Sequence, residues 1–154
     1  MKTKRVIRPM VLLLALTAPA AAFADQPDST AAGCERQFDI AQRIDMESFR
    51  DYDADTFRAI HADNAVTIFA SGAVRYGIDS IMLTLASHFQ NREAIWRWTE
   101  LYRNVEGCKT AYILYDTVYE IPSIGFRQNA RVGVTYTHDG NGWLGVADQS
   151  TRLP

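Results

Sequence analysis

The chain has 154 residues, 16 Lys+Arg against 18 Asp+Glu, a formal net charge of −2 and 47% hydrophobic residues. That length suffices for one hydrophobic core. With no excess of basic residues and no basic stripe, the chain lacks the electrostatic footprint of a nucleic-acid binder.

Lys2, Lys4, Arg5 and Arg8 form a basic start, Met10 to Ala18 an apolar stretch, and Ala22-Phe23-Ala24 a small-x-small cleavage pattern before Asp25. These features predict a signal peptide over 1–24, a flexible polar spacer over 25–32 and one domain over 33–154. The apolar run is about half of the roughly twenty residues that a bilayer-spanning helix needs, so no stable membrane anchor is expected. The expected destination is the bacterial periplasm or exterior. Removing residues 1–24 takes four basic and no acidic residues, leaving 12 Lys+Arg against 18 Asp+Glu and a charge of −6.

Cys34 and Cys108 are the only cysteines, and export would place them where disulfides persist. A bridge would close a loop of about 75 residues, on the order of 4 kcal/mol in the chain-entropy description. The alternatives are two separate buried thiols, or a lipoprotein cleavage box at Ala31-Ala32-Gly33-Cys34. Such a box normally follows its apolar stretch directly, whereas here a polar spacer intervenes.

From Glu35 to Tyr52, Phe38, Ala41, Ile44, Phe49 and Tyr52 recur near the spacing of one helix face. Asp53 can cap a second, short helix with Phe57 and Ile60 inward, ended by Asp63-Asn64. Residues 65–69 alternate as a strand, Ser71-Gly72 turns, and 74–76 returns. Asp79 is placed to cap a third helix running to about Phe89. Beyond Arg92 the period is two, with strands over 95–106, 109–121, 126–138 and 143–150, joined near Gly107, at Pro122 to Gly125 and at Asp139 to Gly142. Strands this long twist and bend, which predicts a curved meander.

Closing the middle hairpin over four residues sets Glu120 opposite Arg127 and Asp116 opposite Arg131, two pairings of opposite charge. That face also carries Arg97 and Arg103 and reads as the wetter one. The other face collects Trp96, Trp98, Glu100 and Tyr102, then Ile113, Tyr115, Thr117 and Tyr119, then Ala130, Val132, Val134 and Tyr136, then Gly145, Ala147 and Gln149. This apolar, aromatic surface with a few polar tips is the one the helices should cover.

The run Asp53 to Val66, then Gly77-Ile78-Asp79-Ser80-Ile81, four strands, and the ending Gly140 to Ser150 together resemble the polyketide-cyclase-like (SnoaL-like) branch of the nuclear transport factor 2-like superfamily. The resemblance spans residues 33–154 through the order and spacing of many weak signals. It implies an α+β fold: a cone-shaped, strongly bent antiparallel sheet with N-terminal helices on its concave face, a pocket inside, and homodimerisation through the sheet. It does not imply one chemistry. The general base of ketosteroid isomerase would fall on Phe69, its helix tyrosine near Asp45 and its second carboxylate near Val134, so none of the three is kept. Many relatives carry a histidine in the last strand where this chain has Gln149, with Thr151 following.

Glu100, between Trp98 and Tyr102 and opposite Tyr115, is the candidate proton-transfer group, since desolvation there would raise its pKa. Tyr115 or Tyr102 could donate to a developing oxyanion. The alternatives are an arginine partner for Glu100 or a bulge that turns it to solvent. Phe69, Trp96, Trp98, Tyr102, Thr117, Tyr119, Tyr136 and Gln149 are the expected lining of a ligand pocket, because so many Trp and Tyr tips on one face need partners. His61, His88 and His138 are too few and too scattered for a metal site, and no phosphate-loop, dinucleotide or nucleophile-elbow motif occurs, so no metal or cofactor is expected. These residues predict a domain that binds a small apolar or aromatic molecule. The rival readings are a cofactor-independent acid/base isomerase, dehydratase or cyclase using Glu100, and a structural homodimer or toxin-neutralising partner.

Overall fold

The computed structural model describes residues 30–154. The signal segment at 1–24 and residues 25–29 of the spacer lie outside the described residues. Helix α1 spans Ala31–Arg50, because Thr30 caps it by accepting from the Gly33 amide at 3.1 Å. It therefore begins four residues before the expected Glu35 and takes Ala31 and Ala32 out of the spacer. Asp53 caps α2 (Ala54–Ala59) through the Thr56 amide, as its position predicts. Helix α3 (Ile78–Asn91) starts from Gly77, whose φ of +80° suits glycine. Asp79 sits inside its first turn and is paired with Arg58.

Strands β1 (His61–Ile68) and β2 (Val74–Tyr76) form one hairpin, and β3 (Ile95–Glu106), β4 (Thr110–Ile121), β5 (Phe126–His138) and β6 (Trp143–Arg152) form the meander. The sheet order is β2-β1-β6-β5-β4-β3. β1 begins at His61 and not at Ala65, because it runs parallel to β6, pairing first through His61 beside Gly145 and, after a register shift, again from Val66 to Ile68. The sheet is thus antiparallel except at that one seam. The middle hairpin has the expected register, with Glu120 opposite Arg127 and Asp116 opposite Arg131, and both pairs are bonded.

The helices cover the inner face, which gives the expected α+β arrangement of N-terminal helices on a curled sheet. α1 buries Phe38 edge-on against Tyr136 and Trp143, with ring centroids 5.2 and 5.3 Å apart. The Trp143 indole donates to the Cys34 carbonyl at 3.0 Å. Cys34 and Cys108 are bridged, with Cα atoms 5.3 Å apart, which ties the first turn of α1 to the β3–β4 turn. A second cluster of Phe57, Ala65, Ile78 and Ile81 joins α2, α3 and β1. No described helix is long and apolar enough to cross a membrane.

Candidate functional site

Two extra residues in the sheet decide which side chains face the helices. In β3 the pairing passes from Glu100 opposite Tyr115 to Tyr102 opposite Leu114, so Leu101 is a bulge and the parity reverses beyond it. Trp96 and Trp98 remain inward and half-buried. Tyr102, expected in the pocket, is turned to the outer face and is 55% exposed. Arg103, expected on the wetter face, turns inward in its place.

In β6 the pairing passes from Tyr136 opposite Gly145 to Thr135 opposite Ala147, so Val146 is the extra residue. Gly145 stays inward as expected, but Ala147 and Gln149 go to the outer face. There Gln149 lines a groove of about 390 Å³ with Tyr112, Leu114, Arg131, Gly133 and Thr151. Asp148 takes the inward place, opposite Val134 on β5 and beside Thr67 on β1.

The expected proton-transfer pair is engaged elsewhere. Both oxygens of Glu100 accept from Arg103, at 2.6 Å each, and Arg103 also donates to Asp39 of α1. The guanidinium holds the Glu100 carboxyl below its ordinary value, whereas burial was expected to raise it. Desolvation acts here too, but Glu100 is partly solvated and the direct hydrogen bonds outweigh it. The Tyr115 hydroxyl donates to Gln42 of α1 at 2.8 Å, and burial pushes its pKa up. Glu100 and Arg103 thus act as a latch between β3 and α1, with Arg103 also lying over the Phe38 ring at 5.6 Å.

The other expected lining residues divide between two ends of the interior. Trp96, Tyr119 and Phe49 meet with ring centroids 5.2 to 6.3 Å apart, and the Trp96 Nε1 is buried with no hydrogen-bond partner. Thr117 is buried and donates to the Ala130 carbonyl at 3.0 Å. Phe69 is half-buried where β1 turns into β2. His88 stacks on Phe49 at 3.9 Å. Its Nε2 must be the protonated nitrogen, since it faces the Phe49 carbonyl at 2.8 Å, and Nδ1 then accepts from the Tyr119 hydroxyl at 3.1 Å. Burial lowers the His88 pKa.

Tyr136, fully buried, leads to the second end. Its hydroxyl donates to Asp45 of α1, and burial first, then the Asp45 charge, pushes its pKa well up. The other Asp45 oxygen faces His61 Nε2 at 3.7 Å, with both side chains less than a tenth exposed. His61 Nδ1 lies 2.7 Å from the Phe57 carbonyl, which can only accept, so Nδ1 carries a proton and Nε2 is the nitrogen free to exchange one. The ring fits because Gly145 lies beside it: a Cβ there would come within 2.9 Å of His61 Cδ2. Asp148 completes the group. Desolvation, reinforced by the Asp45 charge and opposed by His61 and Ser150, raises its pKa to about 7. Its Oδ1 is out of solvent and has no hydrogen-bond partner.

Asp45, His61 and Asp148 were not singled out by alternation. Asp45 had one signal, its place near the helix tyrosine of ketosteroid isomerase, where a carboxylate was read as a loss and not as a substitute. Asp148 became inward only through the Val146 bulge. His61 had been weighed only as a metal ligand, and among the described residues no cluster of His, Cys, Asp and Glu has metal-holding geometry.

A helix pair leading into a short strand hairpin, a third helix and a curled four-strand meander is an arrangement shared with many solved proteins. A ketosteroid isomerase-like protein from Erwinia carotovora atroseptica superposes with a TM-score of 0.65 at 12% identity, covering 77% of this chain and 95% of that one. A candidate dehydratase of the NTF2-like family from Streptomyces avermitilis gives 0.65 at 14% identity, with the same coverages of 77% and 95%. The chain has the nuclear transport factor 2-like fold. A protein from Thiobacillus denitrificans described as a calcium/calmodulin-dependent kinase II association domain also shares this fold, with a TM-score of 0.64 at 15% identity over 75% of this chain and 94% of that one. No protein-family model and no curated protein sequence matches the chain. At these identities the likeness carries the NTF2-like shape and not the chemistry.

Proposed function

We propose that this protein is an exported domain that binds a small, largely apolar or aromatic molecule inside the curled sheet, with the ligand's polar group against Asp45, His61 and Asp148. The observation that carries this reading is the buried Asp148 Oδ1 without a partner. A buried carboxylate oxygen left unsatisfied is costly to the fold, and a ligand group reaching it recovers that cost on binding. The Cys34–Cys108 bridge supports the export part of the reading. Pairing of two copies through the outer sheet face, which no described helix covers, belongs to the same proposal, and Arg131→Glu is the variant that would weaken it.

A thermal-shift screen of small molecules on the purified protein tests the binding reading, because specific binding raises apparent stability by mass action. The expected result is a set of related compounds that raise Tm in the parent and lose most of their effect in Asp148→Asn. Compounds that stabilise both equally would place the ligand elsewhere, and a screen without hits would defeat the reading.

A second reading has its own observation. A carboxyl that titrates near 7 beside an imidazole with an exchangeable Nε2 suits cofactor-independent acid/base chemistry, such as isomerisation, dehydration or cyclisation. Asp148 would serve as the acid and His61 Nε2 as the base, with the Phe57 carbonyl at Nδ1 orienting the ring and the Asp45 carboxylate stabilising the imidazolium once it forms. This assignment takes the place of Glu100 and a tyrosine donor, both of which are engaged within the protein. Under it, His61→Gln abolishes turnover of a screened ligand while its affinity stays within a few-fold of the parent's; equal losses of both would leave binding alone.

A further inference from the structure

The hydrogen-bonding capacity at the Asp148 end of the interior is lopsided. Four donors there are already used: Tyr136 gives its proton to Asp45, Tyr115 to Gln42, His61 Nδ1 to the Phe57 carbonyl, and the Trp143 indole to the Cys34 carbonyl. Arg103, the guanidinium that the β3 bulge turns inward, is bound to Glu100 and Asp39. Acceptor capacity is left over: Asp148 Oδ1 has no partner, and Asp45 Oδ1 lies 3.7 Å from His61 Nε2, beyond hydrogen-bond reach. The other unpartnered buried atom, Trp96 Nε1, is a donor, but it lies among Phe49 and Tyr119 at the opposite end of the strands.

A ligand bound here must therefore bring hydrogens, and two carboxylates answered by a single imidazole favour one that also brings positive charge. We propose that the ligand's polar group is a protonated amine, held between Asp148 and Asp45, with its apolar body extending towards the aromatic side chains. An ammonium suits carboxylates from two elements, β6 and α1, better than a guanidinium does, because it is compact and its three donors can be shared between them. This inference rests on the binding reading above and names the ligand class for that site.

Binding of a cation is linked to proton release. The groups around Asp148 are Asp45 from α1, His61 from β1, Tyr136 from β5 and Ser150 on its own strand. An ammonium favours the ionised carboxylate, so it should bind better as pH rises through the range where Asp148 loses its proton. An aliphatic ammonium keeps its own charge to roughly pH 9–10.

The test is calorimetric titration of the purified protein with benzylamine and 2-phenylethylamine against their neutral isosteres, benzyl alcohol and 2-phenylethanol, at about pH 6 and about pH 8. The expected result is that at least one amine binds about tenfold or more tightly than its alcohol at the higher pH. Its affinity should fall at the lower pH, and the heat should depend on buffer as proton release requires. Asp148→Asn should bring amine and alcohol to within about twofold of each other. If that variant does not fold, the pH dependence of the parent protein decides alone. Alcohols that bind as well as the amines, or amine affinity that does not change with pH, would overturn the amine class and leave the binding reading standing. Failure of all four compounds to bind would overturn the amine class, and the binding reading is then decided by the broader thermal-shift screen.

Discussion

Two carboxylates project from the inner side of the same sheet and have opposite fates. Glu100, on β3, is partly solvated, and Arg103 binds both of its oxygens and holds its pKa down. Asp148, on β6, is desolvated, faces the charge of Asp45 and has one oxygen without a partner, and its pKa rises to about 7. Solvent access and the sign of the nearest charge separate them, and each follows from a single bulge: Leu101 brings Arg103 inward beside Glu100, and Val146 brings Asp148 inward beside Asp45. The raised pKa in this interior therefore belongs to the carboxylate without a guanidinium.

The comparison is sharpest in the pH dependence of stability. Asp148 has a folded pKa above its unfolded one, so its contribution is present below about pH 4 and is lost as pH rises towards 7. Glu100 has a folded pKa below its unfolded one, so its contribution is present above the ordinary carboxylate range and is lost as pH falls through it. Asp148→Asn should remove the first slope, gaining stability over the parent by an amount on the order of a few kcal/mol between about pH 4 and about pH 8. Denaturant unfolding across that range measures the effect, and parallel curves for the two proteins would break the comparison.

Tyr136→Phe takes away the buried donor to Asp45 and should cost about 1–3 kcal/mol, measured by chemical denaturation. A loss below about 0.5 kcal/mol would mean that another group, or water, already serves Asp45. The smallest effect is expected at the latch. Arg103→Met should move Glu100 up to its ordinary titration range while costing only about 0–1 kcal/mol, since the ion pairs are partly exposed and screened by solvent. A larger loss would assign Arg103 a packing role over Phe38 beyond its charge.

Much of the fold was legible because local rules fix it. Asp53 capped its helix as expected, and the four-residue turn at Pro122 to Gly125 set the β4–β5 register that pairs Glu120 with Arg127. The interior site was less legible, because parity along a strand propagates any insertion to its end. One bulge placed Tyr102 outside and Arg103 inside, and a second exchanged Gln149 for Asp148. Neither leaves a mark in the alternation itself, which continues smoothly on the wrong face. The early start of β1 was hidden for a different reason: His61 joins the sheet by pairing with β6, more than eighty residues away along the chain. Asp45 lies on α1 outside the apolar spacing that marks its inner face, and the groups that meet it there, Tyr136 and His61, come from β5 and β1.

Titration of the Asp and Glu side-chain carboxyl carbons by NMR, assigned with Asp148→Asn and Glu100→Gln, tests the central claim most directly. The account predicts that one aspartate, Asp148, changes ionisation near pH 7 while Glu100 does so below the ordinary glutamate range. Asp148 titrating near 4, as surface carboxylates do, would contradict it.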